Sequence, residues 1–382
     1  MGADGLRPTW RLLGALTLAA VVYFYGATSE VAWLFLFGLL LAGLAAAMYL
    51  YARWNAAGLA GGLRLVAVVS ADGSPVADLP EREFRDAPLP APVFERDTVR
   101  IELRLNAADG RARGPARITS RFGTGGLEAG TGLVPARGWS AVRELGPIPR
   151  GPLAAEGAVL ESGDPLGLFR TRRPVPLEDL AVAFPLFASL ADSRQVREVE
   201  SQLTVVRSGQ GNDLYGVREY RSGDPLRRIH WRTSARRGEL VVREFEPPGQ
   251  RILALLLDRD PASSESANQI ARLAASEAWD CLRAGGRVVA WAPGLEPLRA
   301  PASSSLWGVL DWLGRWPSLP EEDSEPPRVM DAVAFTDHVG GPCLEALREL
   351  REHGAATRAW LVGEGELDVP FSRAGLEWPL PE

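Results

Sequence analysis

Two long apolar runs open the chain. The first run covers 10–25 and carries only Arg11, while the second covers 31–51 and has no charged residue. About 20 apolar residues are enough to cross the hydrocarbon core of a membrane. A signal peptide has a similar apolar segment, but here the second run follows after five residues and no convincing small-residue cleavage site separates the two. The pattern therefore predicts a transmembrane helical hairpin within residues 10–54.

The charges that flank these runs predict how the hairpin is oriented. Arg7 and Arg11 lie at its start, Arg53 and Arg64 follow its end, and Glu30 is the only charge between the two runs. Arginine and lysine residues are enriched on the cytoplasmic side of membrane proteins. We therefore expect both termini, and the whole soluble region, to lie in the cytoplasm.

After the hairpin, the pattern changes to short segments in which apolar and polar residues alternate. The alternating segments are 63–69, 98–105, 116–122, 139–145 and 157–160. Alternation with a period of two, bounded by Gly, Pro and Asp clusters, is typical of half-buried strands. Several such strands predict a β-sandwich-like domain over residues 60–185.

The last third of the chain alternates between strand and helix patterns. Predicted strands cover 251–258, 287–291, 332–336 and 357–362, and predicted helices cover 265–284, 304–316 and 343–353. This alternation predicts a doubly wound α/β domain over residues 251–382. Asp258 and Asp337 each end a predicted strand. Since ligands bind at the carboxyl ends of such strands, we expect the two carboxylates to be neighbours there.

A segment dense in charge lies between the two predicted domains, within residues 203–250. Its stretch 211–248 contains eight arginines, six carboxylates, and the side chains of Tyr220, His230 and Trp231. Such near-balanced charges favour an internal lattice of arginine–carboxylate pairs. A partner-binding surface is a second interpretation, and it is compatible with the first. An anion site, or catalysis by His230 with Asp213, Glu219 or Asp224, are further alternatives.

The amino-acid composition excludes only a few classes of protein and site. The formal net charge is −6, which argues against a chain-wide nucleic-acid-binding protein. All 42 basic residues are arginine, and the chain has two cysteines and three histidines. This set gives no disulfide framework and makes a zinc site of the usual ligand spacing improbable. We expect no cofactor.

The charged segment resembles the signature of the domain of unknown function 58 family. The resemblance is carried by the strings 216–221, 223–225, 228–231, 234–236 and 242–246. The residues that we assign to this signature, as partner-binding or structural residues, are Asp213, Arg218, Glu219, Tyr220, Asp224, Arg228, His230, Trp231, Arg236, Arg243 and Glu244. The resemblance implies a bacterial plasma-membrane protein of uncertain biochemistry.

The resemblance also carries expectations about fold and partners. It implies that the C-terminal α/β domain is von Willebrand factor A-like. It further implies an association with a MoxR-type AAA+ ATPase and with a transglutaminase-like membrane protein. We therefore expect a membrane-anchored scaffold or adaptor without catalytic residues. The alternative is a hydrolase-type enzyme centred on His230 with Asp213 or Asp224.

A von Willebrand A-like domain would place a magnesium site at the strand ends. The usual first motif, Asp-x-Ser-x-Ser, here reads Asp258-Arg259-Asp260-Pro261-Ala262, so both serines are missing and an arginine is added. Thr336 and Asp337 keep the later strand-end pair. On this basis we expect a degenerate site at Asp258, Asp260 and Asp337 that does not hold a metal.

Overall fold

The chain folds as two compact units, Met1–Leu186 and Phe187–Glu382. The computed structural model describes residues 5–75, 79–176, 179–190, 214–219, 241–245 and 252–380. The first unit combines two apolar helices with antiparallel sheets. The second unit is built on a parallel sheet.

Two antiparallel helices occupy the apolar runs. Helix α1 covers Trp10–Ser29 and helix α2 covers Ala32–Ala57. Both are long and apolar enough to cross a membrane, and only 11% of the most apolar window of each is buried. The reversal between them uses Glu30 in a left-handed conformation, with φ of 57°. The helices thus expose apolar side chains over most of their surface.

Small residues allow the two helices to approach closely. Gly38 of α2 packs on Tyr23 and Ala19 of α1, and an added Cβ there would lie 3.0 Å from the Tyr23 Cβ. Gly26 of α1 packs in the same way on Leu34. Close approach at small residues is how helices associate in an apolar solvent, where burial of apolar surface gives little driving force.

Eleven strands complete the described part of the first unit. They are β1 (Arg7–Pro8), β2 (Leu59–Val69), β3 (Val93–Phe94), β4 (Thr98–Ala107), β5 (Ala116–Phe122), β6 (Gly125–Thr131), β7 (Trp139–Leu145), β8 (Gly151–Leu153), β9 (Gly157–Gly163), β10 (Phe169–Pro174) and β11 (Ala181–Phe184). They form sheets of order β1-β10-β9-β5-β6, β2-β4-β7 and β3-β11-β8. A short 3₁₀ helix covers Glu81–Asp86.

One apolar core joins these sheets. It contains Ile101 and Leu103 from β4, Ile118 from β5 and Leu160 from β9, each nearly or completely buried. Alternate residues of β4 and β5 point into this core, as the alternating sequence pattern predicts. The arrangement is that of one sheet packed on another.

The end of α2 is fixed to the β-sheet body by buried polar contacts. The amide of Asn55, fully buried, donates to the carbonyl oxygens of Pro115 and Gly163, at 3.2 and 2.8 Å, and its oxygen accepts from Gly114 N. The guanidinium of Arg113 lies 3.9 Å from the centre of the Trp54 ring and donates to the Trp54 carbonyl. These contacts make the helix end and the body a continuous structure.

The second unit contains a five-stranded parallel sheet. Its elements are β14 (Ile252–Leu257), α3 (Ser264–Arg283), β15 (Arg287–Trp291), a 3₁₀ helix (Ala302–Ser304), α4 (Leu306–Arg315), β16 (Asp331–Thr336), α5 (Pro342–Glu352), β17 (Ala356–Val362) and β18 (Phe371–Ala374). The sheet order is β15-β14-β16-β17-β18. A separate antiparallel pair is formed by β12 (Leu214–Glu219) and β13 (Val241–Phe245).

Helices cover both faces of the parallel sheet. Ala254, Ala332 and Ala359 share an apolar cluster with α5 on one face. On the other face, Trp360 Nε1 donates to the carboxylate of Glu277 in α3 at 3.0 Å. Because successive residues of a strand point to opposite faces, Ala359 and Trp360 identify these two sides.

The structure confirms two N-terminal apolar helices and a body of sheets and mixed α/β structure. It also extends the sequence predictions. Strand β6 is rich in glycine and β10 holds three arginines and a proline, so neither has the alternation that predicts a strand. Arg172–Pro174 nevertheless lies in β10 and pairs with β9.

Candidate metal centre

The carboxyl ends of β14 and β16 meet at the point where the strand order reverses. The chain passes from β14 to β15 on one side, and then returns to β16 on the other side of β14. Leu257 pairs with Phe335, and Asp258 N donates to Phe335 O at 3.3 Å. Such a reversal leaves a crevice outside the strand ends, where ligands bind in open α/β sheets.

Three side chains converge in this crevice. Single ligand atoms of Asp258, Asp337 and His338 all lie within 4.8 Å of one another. His338 Nδ1 is 2.5 Å from Asp337 Oδ1 and 3.8 Å from Asp258 Oδ2. The two aspartate side chains are 9% and 3% exposed, whereas that of His338 is 47% exposed. The cluster is therefore buried on the carboxylate side and open on the imidazole side.

Two carboxylate oxygens of the cluster lack any hydrogen-bond donor. These buried atoms are Asp258 Oδ2 and Asp337 Oδ1. The 2.5 Å contact between His338 Nδ1 and Asp337 Oδ1 is an ion pair only when the imidazole is protonated. The other oxygen, Asp337 Oδ2, accepts from Ala262 N at 2.8 Å. Buried polar atoms are normally satisfied, so two unsatisfied anionic oxygens facing one imidazole need an explanation.

The backbone around the cluster is well fixed. The hydroxyl of Thr336 accepts from His338 N at 2.9 Å and also bonds to His338 O, which closes a tight turn over Asp337. Trp316 Nε1 donates to the carbonyl oxygen of Asp258 at 3.0 Å. Both contacts hold the carboxylates in place without using their free oxygens.

Burial dominates the electrostatics of Asp258. It raises the pKa of this carboxyl to about 6, against the lowering effects of the Thr336 hydroxyl and His338. The charges of Asp337 and Asp260 add to the rise. The two aspartates thus repel each other in a poorly solvated site, which a bound cation would relieve.

Cys343 lies below the cluster but outside it. Its thiol is fully buried and contacts Leu256 O at 3.3 Å. Burial, followed by the charge of Asp258, raises the pKa of this thiol well above its usual range. Cys343 therefore stays protonated, and it acts as a small apolar residue between α5 and β14.

The structure reveals which predicted residues come together. Asp258 and Asp337 are neighbours, whereas Asp260 is not among the three converging groups. Arg259, expected to bring positive charge to the site, instead pairs with Glu321 at 2.6 Å. His338 was not predicted, although its position directly after Asp337 was the available signal.

The charged signature is described only in part. In the β12–β13 pair, Arg218 is opposite Val242, Arg243 is opposite Val217, and Glu244 is opposite Gly216. Glu219 ends β12. The other predicted signature residues lie outside the described residues: Asp213, Tyr220, Asp224, Arg228, His230, Trp231 and Arg236. The ion-pair lattice, the partner surface and the His230 site therefore stay predictions.

The model of one protein family matches part of this sequence. Residues 216–305 match the model of the family described as protein of unknown function DUF58, which is about a quarter of the chain. The match contains the signature strings from residue 216 onwards and continues through β14, Asp258, α3 and β15 to just past the 3₁₀ helix Ala302–Ser304. It ends before Asp337 and His338.

A curated relative gives a similar result. The chain is 30% identical over 145 residues to the uncharacterized protein YeaD of Bacillus subtilis (strain 168). The alignment covers 37% of this chain and 36% of the relative, so it spans little more than a third of either protein.

A solved structure aligns over a longer region but without a shared fold. The exo-β-N-acetylglucosaminidase of Vibrio harveyi, in complex with N-acetylglucosamine, covers 81% of this chain and 58% of its own. The TM-score is 0.22 and the identity is 9%. At this score the alignment gives no information about function.

Proposed function

We propose that this chain is a membrane-anchored adaptor that binds one divalent cation at Asp258, Asp337 and His338. The observation that carries the proposal is the pair of buried carboxylate oxygens without hydrogen-bond donors, which face the His338 imidazole. Around one ion with bonds of about 2.0–2.2 Å, ligand atoms lie about 3 Å apart. The observed separations of 2.5 and 3.8 Å bracket that value.

The donor set favours one class of cation. Magnesium prefers a shell made of oxygen ligands, whereas imidazole suits zinc and other transition metals. Two carboxylates with one imidazole therefore fit Zn²⁺ or Mn²⁺ better than Mg²⁺. His338 adds an imidazole ligand that the degenerate site expected from the sequence did not contain.

A site open on one side suits a binding role. Three protein ligands leave coordination positions free, and the exposed imidazole edge is where a group from a partner would approach. We include in this proposal the von Willebrand factor A-like character of the domain. The sheet order and the ligands at its reversal point support it.

The membrane anchor is the second part of the proposal. Helices α1 and α2 expose apolar surface, and the start of α1 and the end of α2 both join the same β-sheet body. The arginines Arg7, Arg11, Arg53 and Arg64 at this end favour a cytoplasmic body. The adaptor would then present its cation site at the inner face of a bacterial plasma membrane.

The partner we propose is a MoxR-type AAA+ ATPase, together with a transglutaminase-like membrane protein. This part rests on the resemblance of the signature and on the match to DUF58 over residues 216–305. The hydrolase alternative, with His230 and Asp213 or Asp224, falls on residues outside the described part of the chain.

Capture from native membranes tests the adaptor. Tagged full-length protein is purified in ATP with Mn²⁺, or with a chelator, as wild type and as Asp337→Asn. We expect the ATPase to be captured by the wild type with Mn²⁺, and to be lost with the chelator or with the variant. Asp368→Asn, which removes an exposed carboxylate paired with Arg348, is the matched control.

The outcomes separate the parts of the proposal. Failure of the wild type to capture any such ATPase under these conditions would overturn the adaptor role. Equal capture by wild type and Asp337→Asn would remove the cation from that role. Complete extraction of the wild type from membranes by alkaline carbonate would contradict the anchor.

A further inference from the structure

An arginine cluster lies where the chain enters helix α1. Arg7 of β1 is directly opposite Arg170 of β10 in an antiparallel pair, and both are exposed. Arg11 follows in the first turn of α1 and is also exposed. Like charges placed directly opposite each other in a sheet repel and destabilise the pair. The β1–β10 pair is favourable only if a nearby negative charge offsets the repulsion between Arg7 and Arg170.

Protein carboxylates do not offset it in the described part of the chain. Arg100, Arg104, Arg113, Arg117 and Arg172 of the same unit each pair with an acidic side chain. None of the described ion pairs includes Arg7, Arg11 or Arg170. The nearby carboxylate of Asp164 is buried and accepts from Leu166 N and Phe169 N, at 2.9 and 2.6 Å.

The cluster is held in a fixed shape. Thr9 N donates to Leu168 O at 2.9 Å, and the Thr9 hydroxyl donates to Gly167 O at 2.7 Å. Arg11 Nη1 donates to Leu166 O at 3.3 Å. These bonds join the start of α1 to the turn before β10. The three guanidiniums are therefore carried by one small, well-connected structure.

The residues around the arginine cluster indicate its depth in the membrane. Trp10, with 78% of its surface exposed, begins α1, and Trp54 lies in the last turn of α2. Aromatic side chains of this kind mark the level of lipid headgroups. Leu166, 45% exposed at the tip of the turn, adds an apolar side chain at the same place. The arginines thus lie where the phosphates of a bilayer lie.

We propose that Arg7, Arg11 and Arg170 bind the phosphate of an anionic phospholipid headgroup. Guanidinium groups bind phosphate oxygens in a bidentate manner, and one phosphate between Arg7 and Arg170 would turn their repulsion into attraction. This inference rests on the membrane anchoring proposed above. It adds a specific lipid contact that fixes the β-sheet body against the bilayer surface.

Lipid retention in purified protein tests the site. Full-length protein is equilibrated in detergent with equal amounts of phosphatidylglycerol and phosphatidylcholine, and native mass spectrometry counts the bound lipids. We expect wild type to retain phosphatidylglycerol preferentially. Removing one arginine should weaken the preference for phosphatidylglycerol about fivefold. The double variant Arg7→Gln with Arg170→Gln should weaken it about thirtyfold. Arg170→Lys should keep part of the preference, because it keeps the charge but loses the planar fork.

Controls distinguish a site from general charge. Arg121→Gln removes an exposed arginine at the end of β5 that lies away from the Arg7–Arg170 pair. This variant should leave phosphatidylglycerol retention unchanged. Equal retention by wild type and the double variant would overturn the proposal. So would competition by inorganic phosphate at the concentration of the lipid, since the site would then bind a soluble anion. If the wild type were not held by membranes at all, the anchor itself would fail, which carbonate extraction shows separately.

Discussion

Asp258 is a buried carboxyl whose ionisation destabilises the metal-free protein. Its side chain is 9% exposed, one oxygen has no donor, and burial raises its pKa to about 6. Because the folded-state pKa lies above the ordinary value of 3.8, the ionised carboxylate destabilises the metal-free fold. That cost is absent below 3.8 and grows as the pH rises through about 6.

Replacing Asp258 by Asn should therefore stabilise the metal-free protein. At pH 8 we expect a gain on the order of 2–3 kcal/mol in the free energy of unfolding, because a neutral side chain avoids the burial of charge. The same variant should lose all stabilisation by Mn²⁺ or Zn²⁺. Denaturant unfolding with and without the ions measures both effects. A variant less stable than wild type without metal would contradict this account of Asp258.

At this scale the sequence predicted part of the site. Asp258 and Asp337 followed from the apolar strands that they end, since parallel strands bring their carboxyl ends together. His338 did not, because the turn that places its ring beside Asp337 depends on the Thr336 hydroxyl. The sequence also could not predict that Asp258 Oδ2 and Asp337 Oδ1 lack hydrogen-bond donors, because hydrogen-bond partners are set by the folded chain.

Among the elements, the helical hairpin depends on close packing at Gly38. A larger residue there would collide with Tyr23 and with the carbonyl oxygen of Ala19. We expect Gly38→Leu to destabilise the hairpin by about 1–3 kcal/mol, through overpacking. Gly43, on the same helix, has nothing within 4 Å of an added Cβ.

Gly43→Leu is accordingly the matched control for helix propensity, and should be neutral or slightly stabilising. Thermal unfolding of the full-length variants in one detergent makes the comparison. Equal effects of the two substitutions would show that the packing of α1 on α2 does not depend on Gly38.

The joint between α2 and the body should weaken in acid. Asp109 accepts two hydrogen bonds from Arg113, at 3.2 and 2.7 Å, and Arg113 stacks on Trp54. The hydrogen bonds from Arg113 lower the pKa of Asp109 from 3.8 to about 2. A depressed folded-state pKa stabilises the fold above 3.8, and this contribution is lost as the pH falls through about 2.

Asp109→Asn isolates that contribution. The unfolding temperature of wild type should fall more steeply between pH 4 and pH 2 than that of the variant, because only wild type takes up a proton at this position. Parallel pH profiles for the two proteins would show that the Asp109–Arg113 pair does not stabilise the joint.

Helices and regular strands were the predictable elements. Period-two alternation predicted β4, β5 and β7, and helical spacing predicted α3 and α5 within one or two residues at each end. The contacts of Asn55 with Gly163 and of Arg113 with Trp54 join residues 108 and 59 positions apart, and such distant pairs leave no local pattern. Strand β1 is two residues long, and it exists only because β10 offers it an edge.

On the scale of the whole molecule, two compact units follow one another along the chain. The first joins an apolar hairpin to a β-sheet body, and an arginine cluster lies at the boundary between them. The second holds the carboxylates and imidazole at the reversal point of a parallel sheet. The DUF58 match covers most of the charged signature and continues through β14, α3 and β15 of the second unit. In the function that we propose, this order is that of an anchor followed by a binding domain.

Direct titration of the cation site tests the central claim. Full-length protein, purified in detergent and freed of metal, is titrated calorimetrically with Mn²⁺, Zn²⁺ and Mg²⁺. We predict one Mn²⁺ or Zn²⁺ bound per chain by wild type and by Asp368→Asn, and no binding by Asp258→Asn or Asp337→Asn. Weaker binding of Mg²⁺ should reflect the imidazole of His338. Absence of binding by wild type, or equal binding by the Asp258 and Asp337 variants, would contradict the account.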